Sequence, residues 1–224
     1  MGGSSICRLS KFPYLYKNKL SEFPRERTMP RYKKLVGDLC YLSPCSLQDA
    51  EKWAEWDTDL AVSLPLGDEA YVPTSPESAR AAISNVLEKR EHVFSVVDLE
   101  TDALIGRGML FSVDHVNRSA MLGIVLGEKH YWGKGYGQEA TRLLVEYGFD
   151  LLNLNSIMLG TFGFNRRALH CYEQVGFKTI GKRREARIIG GKKYDAILMD
   201  MVADDFKSIY TQRIFFEVGL SSSD

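Results

Sequence analysis

Residues 132–138 read Trp-Gly-Lys-Gly-Tyr-Gly-Gln, a glycine-rich turn that follows a predicted strand and precedes a predicted helix. Gly133, Gly135 and Gly137 let the backbone turn tightly and approach a ligand closely, because glycine has no Cβ. The free N–H groups of such a turn, together with the positive end of the following helix, attract phosphate oxygens. The turn therefore predicts a diphosphate-binding site, with a glycine-rich connector that binds nothing as the alternative.

The spacing of these glycines excludes two common nucleotide-binding loops. The run is GxGxG, whereas dinucleotide-binding folds carry GxGxxG, and no Gly-Lys-Ser or Gly-Lys-Thr follows to form a P-loop. A nucleotide-binding module that uses the turn in some other way stays open as a rival interpretation.

A second pattern occupies residues 165–177. In a helix that begins at Asn165, Ala168 and Tyr172 share a face, so Tyr172 points back across the sheet while Asn165 caps the helix start. Taken in isolation, the pattern is more typical of an N-cap and a half-buried core tyrosine than of a ligand site.

The remaining chain predicts a mixed α/β fold. Strands are expected within residues 35–42 and at 93–97, 103–113, 120–126, 156–161, 177–189 and 194–202, and a loop is expected over 58–76. The helix after the glycine turn has one apolar face, formed by Ala140, Leu143, Leu144, Tyr147 and Leu151. This order predicts a mostly antiparallel twisted sheet of about seven strands flanked by about four helices.

Charge and cysteine content narrow the function classes. Lys plus Arg and Asp plus Glu both number 29, so no overall field recruits nucleic acid or an anionic membrane. The four cysteines lack the spacing of a zinc site or a disulfide framework. No apolar run has the length of a signal peptide or a membrane-spanning helix. We therefore expect a cytoplasmic protein with no metal, no nucleic-acid partner and no membrane contact.

Composition divides the chain into three parts. Residues 1–31 mix basic residues with Pro, Ser and Tyr without periodicity, which predicts a loosely ordered extension before a domain at 32–205. Residues 206–224 form a tail with enough apolar side chains, among them Phe215 and Phe216, that we expect them to be buried from solvent. Packing back on the domain or a subunit interface, such as that of a homodimer, would both cover them.

Together, the two patterns resemble the GNAT superfamily of N-acetyltransferases. Residues 132–137 are similar to its Gln/Arg-x-x-Gly-x-Gly/Ala loop, residues 165–177 are similar to its NxxAxxxYxxxGF helix, and the resemblance spans about residues 39–202. The runs YWGKGYG and NRRALHCYEQVGF look like the ribosomal-protein-alanine and spermidine N-acetyltransferase subgroup. The resemblance implies the GNAT fold, with a sheet that splays at the cofactor site. It also implies direct transfer of an acetyl group, within a ternary complex, from acetyl-CoA to a protein N-terminus, a polyamine or another small primary amine.

The resemblance further implies roles for individual residues. The backbone of Ile124, Val125 and Leu126 would pair with the pantetheine arm of acetyl-CoA, and an N–H of Val125 or Leu126 would bind the oxyanion. Asn165 would contact the cofactor arm, and Tyr172, beside the sulfur, would act as the general acid. The diphosphate would lie in the turn formed by Trp132, Gly133, Lys134, Gly135, Tyr136, Gly137 and Gln138. Trp132 departs from the family's Gln or Arg, a change that binding by backbone amides tolerates.

No residue is assigned as the general base. Some relatives place Glu five residues before the Asn, where this chain has Gly160. Asp57 and Glu185 are the carboxylate candidates, although each is more typical of a solvated charge or a salt-bridge partner. His115 and His130 lie in turn regions, where a lone histidine is usually just exposed. The vacancy at Gly160 keeps a second function open, that of a catalytically degenerate acyl-CoA-binding sensor or scaffold.

The acceptor is expected to enter between residues 53–69 and the late hairpin. An acidic stretch there suits a cationic acceptor, although a charged surface is at least as good an interpretation: Glu51, Glu55, Asp57, Asp59, Asp68 and Glu69. On the hairpin, Arg183, Arg184 and Arg187 favour an acidic group instead, so the local charges conflict.

Overall fold

The structure is a computed structural model that describes residues 30–220. The extension predicted for residues 1–31 lies almost entirely outside this range, and the division into three parts stays a prediction. No helix within the described range is long and apolar enough to cross a membrane.

Within residues 30–220, eight strands form one sheet: β1 (Leu35–Val36), β2 (Cys40–Pro44), β3 (His92–Asp98), β4 (Leu104–Asp114), β5 (Ser119–Leu126), β6 (Ser156–Phe162), β7 (Lys178–Ile189) and β8 (Lys192–Val202). Their order across the sheet is β1, β2, β3, β4, β5, β6, β8, β7. β5 and β6 are parallel, and the other neighbours are antiparallel. The predicted mixed α/β architecture with a mostly antiparallel sheet is therefore confirmed.

The same part of the chain contains six α-helices: α1 (Ala50–Thr58), α2 (Leu60–Ser63), α3 (Pro76–Lys89), α4 (Tyr136–Glu146), α5 (Arg166–Val175) and α6 (Tyr210–Glu217). α3 begins with Ser75 as its N-cap and Pro76 in its first turn. Ser46 caps a short 3-10 helix that leads into α1.

Helices cover both faces of the sheet. On β3, Phe94 and Val96 belong to the core that contains α4 and α5, whereas Val93 belongs to the core that contains α1 and α3. Successive side chains of a strand point to opposite faces, so the two cores lie on opposite sides of the sheet.

The sheet opens between β5 and β6. Their parallel ladder has three residue pairs and ends at Met121 and Met158, although β5 continues to Leu126 and β6 to Phe162. The last five residues of β5 therefore have no ladder partner on the β6 side. The expected splay is present, and it exposes a strand edge directly before the glycine turn.

Two local predictions differ from the structure. The opening apolar stretch forms two strands, because the chain turns back at residues 37–39, and this brings the sheet to eight strands where about seven were expected. The segment predicted as loop over 58–76 contains α2 and a 3-10 helix at Glu69–Tyr71. Asp59 begins α2 by accepting a hydrogen bond from the N–H of Ala61.

The apolar face of α4 ends earlier than predicted. Ala140, Leu143 and Leu144 are fully buried, but the prediction for Leu151 was wrong, since its side chain is 43% exposed. The helix continues after Glu146 as a π-helical turn, Tyr147–Leu151. The wider winding of a π-helix breaks the 3.6-residue period, so Leu151 leaves the buried face.

Two buried glutamates of α4 fix neighbouring segments to the helix. Glu139 accepts hydrogen bonds from the N–H groups of residues 38–40, in the β1–β2 turn. Glu146 accepts hydrogen bonds from the N–H groups of residues 209–211, at the start of α6. A carboxylate at a helix N-terminus satisfies unpaired donors and the helix dipole together, which holds α6 against α4.

Candidate active site

A cavity of about 640 Å³ lies where β5 and β6 separate. One part of its wall, here called the turn side, consists of the glycine turn at residues 132–138 and α5. Another part, here called the loop side, consists of the end of α2 and the segment that follows it, residues 62–69. The exposed edge of β5 and the end of β6 complete the wall.

Ten of the twelve predicted site residues line this cavity: Ile124, Val125, Leu126, Trp132, Gly133, Gly135, Gly137, Gln138, Asn165 and Tyr172. They come from β5, the turn, the start of α4 and α5, which are far apart in sequence. The fold therefore brings the two sequence patterns to one site.

Lys134 and Tyr136 do not line the cavity with their side chains. The side chain of Lys134 is exposed. The Tyr136 hydroxyl donates a 2.8 Å hydrogen bond to Asp98, and this contact raises the pKa of Tyr136 to about 12. Only the backbone of these two residues is available to a ligand in the turn.

The glycine turn presents a row of unpaired backbone donors. Gly133 has φ +72° and Gly135 has φ +91°, a left-handed conformation that glycine adopts without strain. In the described part of the chain, none of the N–H groups of residues 133–138 donates a hydrogen bond to the protein. Three of them belong to the first turn of α4, where the helix dipole adds positive potential.

Trp132 connects the turn to both neighbouring walls. Its indole Nε1 donates a 2.8 Å hydrogen bond to the carbonyl of Leu126, at the end of β5. The guanidinium of Arg167, on α5, lies over the Trp132 ring, 3.5 Å from the ring centroid. Trp132 thus stabilises the turn through its side chain, a role that a Gln or Arg at the head of the loop would not fill in this way.

The side chain of Asn165 caps α5. Its Oδ1 accepts a hydrogen bond from the N–H of Ala168 at 3.2 Å, as the N-cap prediction required. Asn165 also lines the cavity. Capping consumes part of its hydrogen-bonding capacity, and the side-chain N–H₂ group remains as a donor.

Tyr172 is buried at the cavity wall, with 8% of its surface exposed. Its ring packs edge-on against Phe177, and its hydroxyl makes no hydrogen bond to the described residues. Burial, with a smaller contribution from Cys171, raises the pKa of Tyr172 well above its usual value. The hydroxyl therefore stays protonated and remains available as a donor to a ligand.

The candidates for a general base are not at the site. Asp57 forms a buried ion pair with Arg107, 2.6 Å between Oδ1 and Nη2. Glu185 pairs with Lys193 on the surface, and both His115 and His130 are exposed. Gly160 does line the cavity, but it has no side chain to act.

The acidic stretch is mostly surface. Glu55 pairs with Lys52 and Asp59 pairs with Lys129, while the side chain of Asp68 is 95% exposed. Glu69 is the one carboxylate among the described residues that lines the cavity. The structure thus reduces six candidates to one, because burial depends on the fold of the loop. No group of His, Cys, Asp and Glu with the arrangement of a metal site occurs in residues 30–220.

Sequence reasoning missed Arg167 and His170, which line the turn side of the cavity. One signal was available for Arg167. It stands in the first turn of α5, where a cation is unfavourable next to the positive end of the helix dipole. A basic residue in that position is favourable where an anion lies nearby.

Comparison with known proteins agrees with this geometry. The sequence profile of the acetyltransferase (GNAT) domain matches residues 40–178. An uncharacterized N-acetyltransferase, p20 of Bacillus licheniformis, is 28% identical over 169 residues, which is 74% of this chain and 93% of that protein. The spermidine N(1)-acetyltransferase of Escherichia coli K12 is 31% identical over 128 residues, or 55% of this chain and 68% of that protein.

A solved structure has the same fold. The spermidine N-acetyltransferase of Vibrio cholerae, crystallised with CoA and spermine, superimposes with a TM-score of 0.68 at 23% identity, covering 75% of this chain and 98% of that one. The profile match extends over more than half of the chain and includes the turn, α4 and α5. The chain therefore belongs to the GNAT family of N-acetyltransferases, enzymes that use acetyl-CoA as the acetyl donor.

Proposed function

We propose that the protein transfers an acetyl group from acetyl-CoA directly to a primary amine, with both substrates bound in the cavity at once. The observation that carries this proposal is the row of unpaired N–H groups at residues 133–138 on the cavity wall. Backbone donors at a helix N-terminus match a diphosphate, and acetyl-CoA contains one.

The shape of the site fits the donor. A Cβ built at Gly133 meets no atom within 4 Å, so the turn faces open space. The unpaired edge of β5, with Ile124 and Val125, offers backbone groups to the amide-containing pantetheine arm. Arg167 adds a cation on the turn side, and it forms no ion pair with the described residues. Acetyl-CoA, when bound, supplies the acetyl group as an activated thioester.

The acceptor amine must lose a proton before it attacks. A free alkyl amine has a pKa of about 10.4, so reaching the neutral form at pH 7 costs about 4 to 5 kcal/mol. A cavity lined mainly by apolar side chains, such as Met109, Phe111 and Phe162, lowers this cost because desolvation favours the neutral amine. No carboxylate of the described residues forms a hydrogen bond with Tyr172, and bulk water reached through bound water is the proposed proton acceptor.

Tyr172 is the proposed general acid. Its hydroxyl is unpaired, protonated and on the cavity wall, so it can donate to the sulfur of the leaving group. A cysteine thiol has a pKa of about 8.5, and the thiol of CoA is also an alkyl thiol, so this step needs modest assistance. The backbone N–H of Val125 or Leu126 is the proposed donor to the carbonyl oxygen of the acetyl group.

The first experiment is a turnover assay. Purified protein with acetyl-CoA and a panel of polyamines, amino acids, aminoglycosides and peptide N-termini should release CoA, detected as free thiol, with at least one amine. Mass spectrometry of the products then identifies the acceptor. The relatives named for spermidine make polyamines the first members to assay. CoA binding without release of thiol above background for any amine would favour the degenerate sensor.

A second measurement addresses the nucleotide-binding rival. Thermal unfolding is recorded with CoA, ATP and NAD at equal concentrations. The proposal predicts that CoA raises the melting temperature most, since a ligand stabilises in proportion to its affinity for the folded state. Greater protection by ATP or NAD would support the rival.

A further inference from the structure

We propose that Glu69 receives the positively charged group of the acceptor, and that Arg187 positions Glu69 for this role. This inference deepens the proposed function and rests on it. It selects, as the preferred substrate class, alkyl amines that enter the site as cations. Neither residue is part of the glycine turn or of the α5 pattern.

The carboxylate of Glu69 lacks a partner. Glu69 lines the cavity, and its Oε2 is buried without a hydrogen bond to any described residue. A buried carboxylate oxygen without a donor is unfavourable, because it has lost its hydrogen bonds to water and no protein donor replaces them. An ammonium group of a bound acceptor would supply the missing donors and the compensating charge.

Other charges of the cavity wall do not neutralise Glu69. Arg107 lines the cavity too, but its guanidinium is paired with Asp57 at 2.6 Å and lies over the Trp53 ring. Arg167 and His170 belong to α5, on the turn side. Arg187 contacts the loop as well, but the carboxylate it approaches is that of Asp68, at 3.9 Å between Nη1 and Oδ1. Glu69 therefore forms no ion pair with a described residue, whereas Arg167 leaves a cation on the turn side.

Arg187 holds the segment that presents Glu69. Its Nη2 donates hydrogen bonds to the carbonyls of Leu66, at 3.2 Å, and of Gly67. Its guanidinium lies between the rings of Tyr71 and Phe162, 4.5 Å and 4.7 Å from their centroids. A single buried side chain from β7 thus contacts residues on both flanks of Glu69 and fastens them to β6.

The path of β7 makes this contact available. Between Arg183 and Arg187 the strand advances four residues while β8 advances two, from Ala196 to Tyr194, so β7 bulges there. Arg183 and Arg184 are exposed, but Arg187, after the bulge, is 9% exposed. The sequence left open whether the acceptor is cationic or acidic. Arg187 is not free to bind an acidic acceptor, because its guanidinium donates to the loop carbonyls of Leu66 and Gly67.

The neighbours of Glu69 fit an alkyl chain. Val62, Pro65, Leu66 and Phe162 line the same part of the cavity. An acceptor with a methylene chain would bury that chain against these side chains and place its cationic end at Glu69. Acceptors with a carboxylate in that position would be repelled.

The test compares Glu69→Gln with wild type, because glutamine keeps the size of the side chain and removes its charge. For a cationic alkyl amine such as spermidine, KM should rise about tenfold to hundredfold, as expected for loss of a charge-assisted hydrogen bond. The KM for acetyl-CoA, and the KM for an aromatic amine that is uncharged at neutral pH, should stay within twofold. Glu55→Gln is the matched control, since it makes the same change of side chain at an exposed position outside the cavity wall.

Arg187 is tested as a positioning residue. Arg187→Met keeps the length and the ring contacts but removes the donors, and it should raise KM for the cationic amine several-fold while kcat and the KM for acetyl-CoA stay unchanged. If Arg187 acts through Glu69, the double variant will be no worse than Glu69→Gln alone. Additive losses in the double variant would overturn the positioning role.

A binding measurement separates this inference from the proposed function. Calorimetry of CoA-saturated protein with the cationic amine should show at least tenfold weaker binding to Glu69→Gln, and unchanged binding to Glu55→Gln. Equal affinity of wild type and Glu69→Gln, or wild-type activity confined to neutral and anionic acceptors, would overturn the role of Glu69 while leaving acetyl transfer in place. Failure of wild type to release thiol with any acceptor would instead overturn the proposed function.

Discussion

The two sides of the cavity are built in different ways. The turn side presents backbone N–H groups of consecutive residues, 133–138, which glycine and the start of α4 arrange locally. The loop side presents the side chain of Glu69, and the segment that carries it is held by Arg187, which is distant in the chain. A local backbone site follows from a short stretch of sequence, whereas a side-chain site held by distant partners follows only from the fold.

The two sides also differ in how they tolerate change. A residue that contributes only its backbone to the turn can be replaced, as Lys134 illustrates, because its side chain is exposed. The charged groups on and beside the loop side depend on specific partners: Asp57 pairs with Arg107 next to it, and Glu69 is proposed to pair with the ligand. We therefore expect single substitutions to affect stability mostly on the loop side, and cofactor binding mostly on the turn side.

Asp57→Ala should destabilise the fold by about 3–5 kcal/mol, because it leaves Arg107 charged and unpaired in a buried position. Denaturant unfolding measures the change. Asp205→Ala, which removes an exposed pair with Lys178, is the control and should cost less than about 1 kcal/mol. Equal losses for the two variants would show that the buried pair of Asp57 and Arg107 contributes no more to stability than the exposed pair of Asp205 and Lys178.

Tyr172→Phe should lower kcat about 10²-fold or more and leave the affinity for acetyl-CoA nearly intact, as loss of a general acid would. Tyr172 lies in α5, on the turn side, but its side chain is not part of the glycine turn. Steady-state kinetics and calorimetry provide the two readouts. Tyr136→Phe removes a hydroxyl that bonds to Asp98 away from the cavity, so its kcat should match wild type. Unchanged turnover in Tyr172→Phe would remove Tyr172 from the mechanism.

Gly135→Ala should weaken acetyl-CoA binding about fivefold to thirtyfold, the equivalent of the 1–2 kcal/mol that a left-handed backbone costs a residue with a Cβ. Its φ is +91°, and the added Cβ would also lie 3.2 Å from Leu39 Cδ1. The turn would relax and its donors would move. Gly181→Ala, in β7, meets no atom within 4 Å and should bind acetyl-CoA like wild type. Normal affinity in Gly135→Ala would mean that the turn conformation is irrelevant to binding.

Trp132→Phe should raise the KM for acetyl-CoA about twofold to tenfold, since it removes one hydrogen bond, to the Leu126 carbonyl, worth about 0.5–1.5 kcal/mol. The ring contact with Arg167 is kept. Trp53→Phe removes an indole N–H that has no acceptor among the described residues, so the same KM should not change. A larger increase in this KM for Trp53→Phe than for Trp132→Phe would contradict the role of the hydrogen bond between Trp132 and Leu126.

Much of the fold and of the turn side could be predicted from the sequence. The GxGxG run, the N-cap at Asn165 and the buried face of α4 are local patterns, because each depends on residues within a few positions of one another. The exposure of Leu151 could not be predicted, since a π-helical turn leaves no regular spacing to read. The helical turns at Leu60–Ser63 and Glu69–Tyr71 were missed because a stretch rich in proline and acidic residues resembles a loop.

The loop side could not be predicted beyond its acidic composition. Six carboxylates were equivalent in sequence, and only the path of the chain decides that Glu69 faces the cavity while Asp57 meets Arg107. Arg187 was grouped with Arg183 and Arg184 as a residue that favours an acidic group, because no sequence pattern near it indicates the bulge in β7 that precedes a buried arginine. Contacts between residues so distant in the chain leave no periodic signal.

A calorimetric titration with two ligands tests directly whether the turn at residues 133–138 holds a diphosphate. CoA should bind with measurable heat, and pantetheine, which shares the thiol arm but lacks the diphosphate and nucleotide, should bind at least tenfold more weakly. Equal affinity for the two ligands, or no heat with CoA, would contradict the assignment of the turn as the cofactor-binding element.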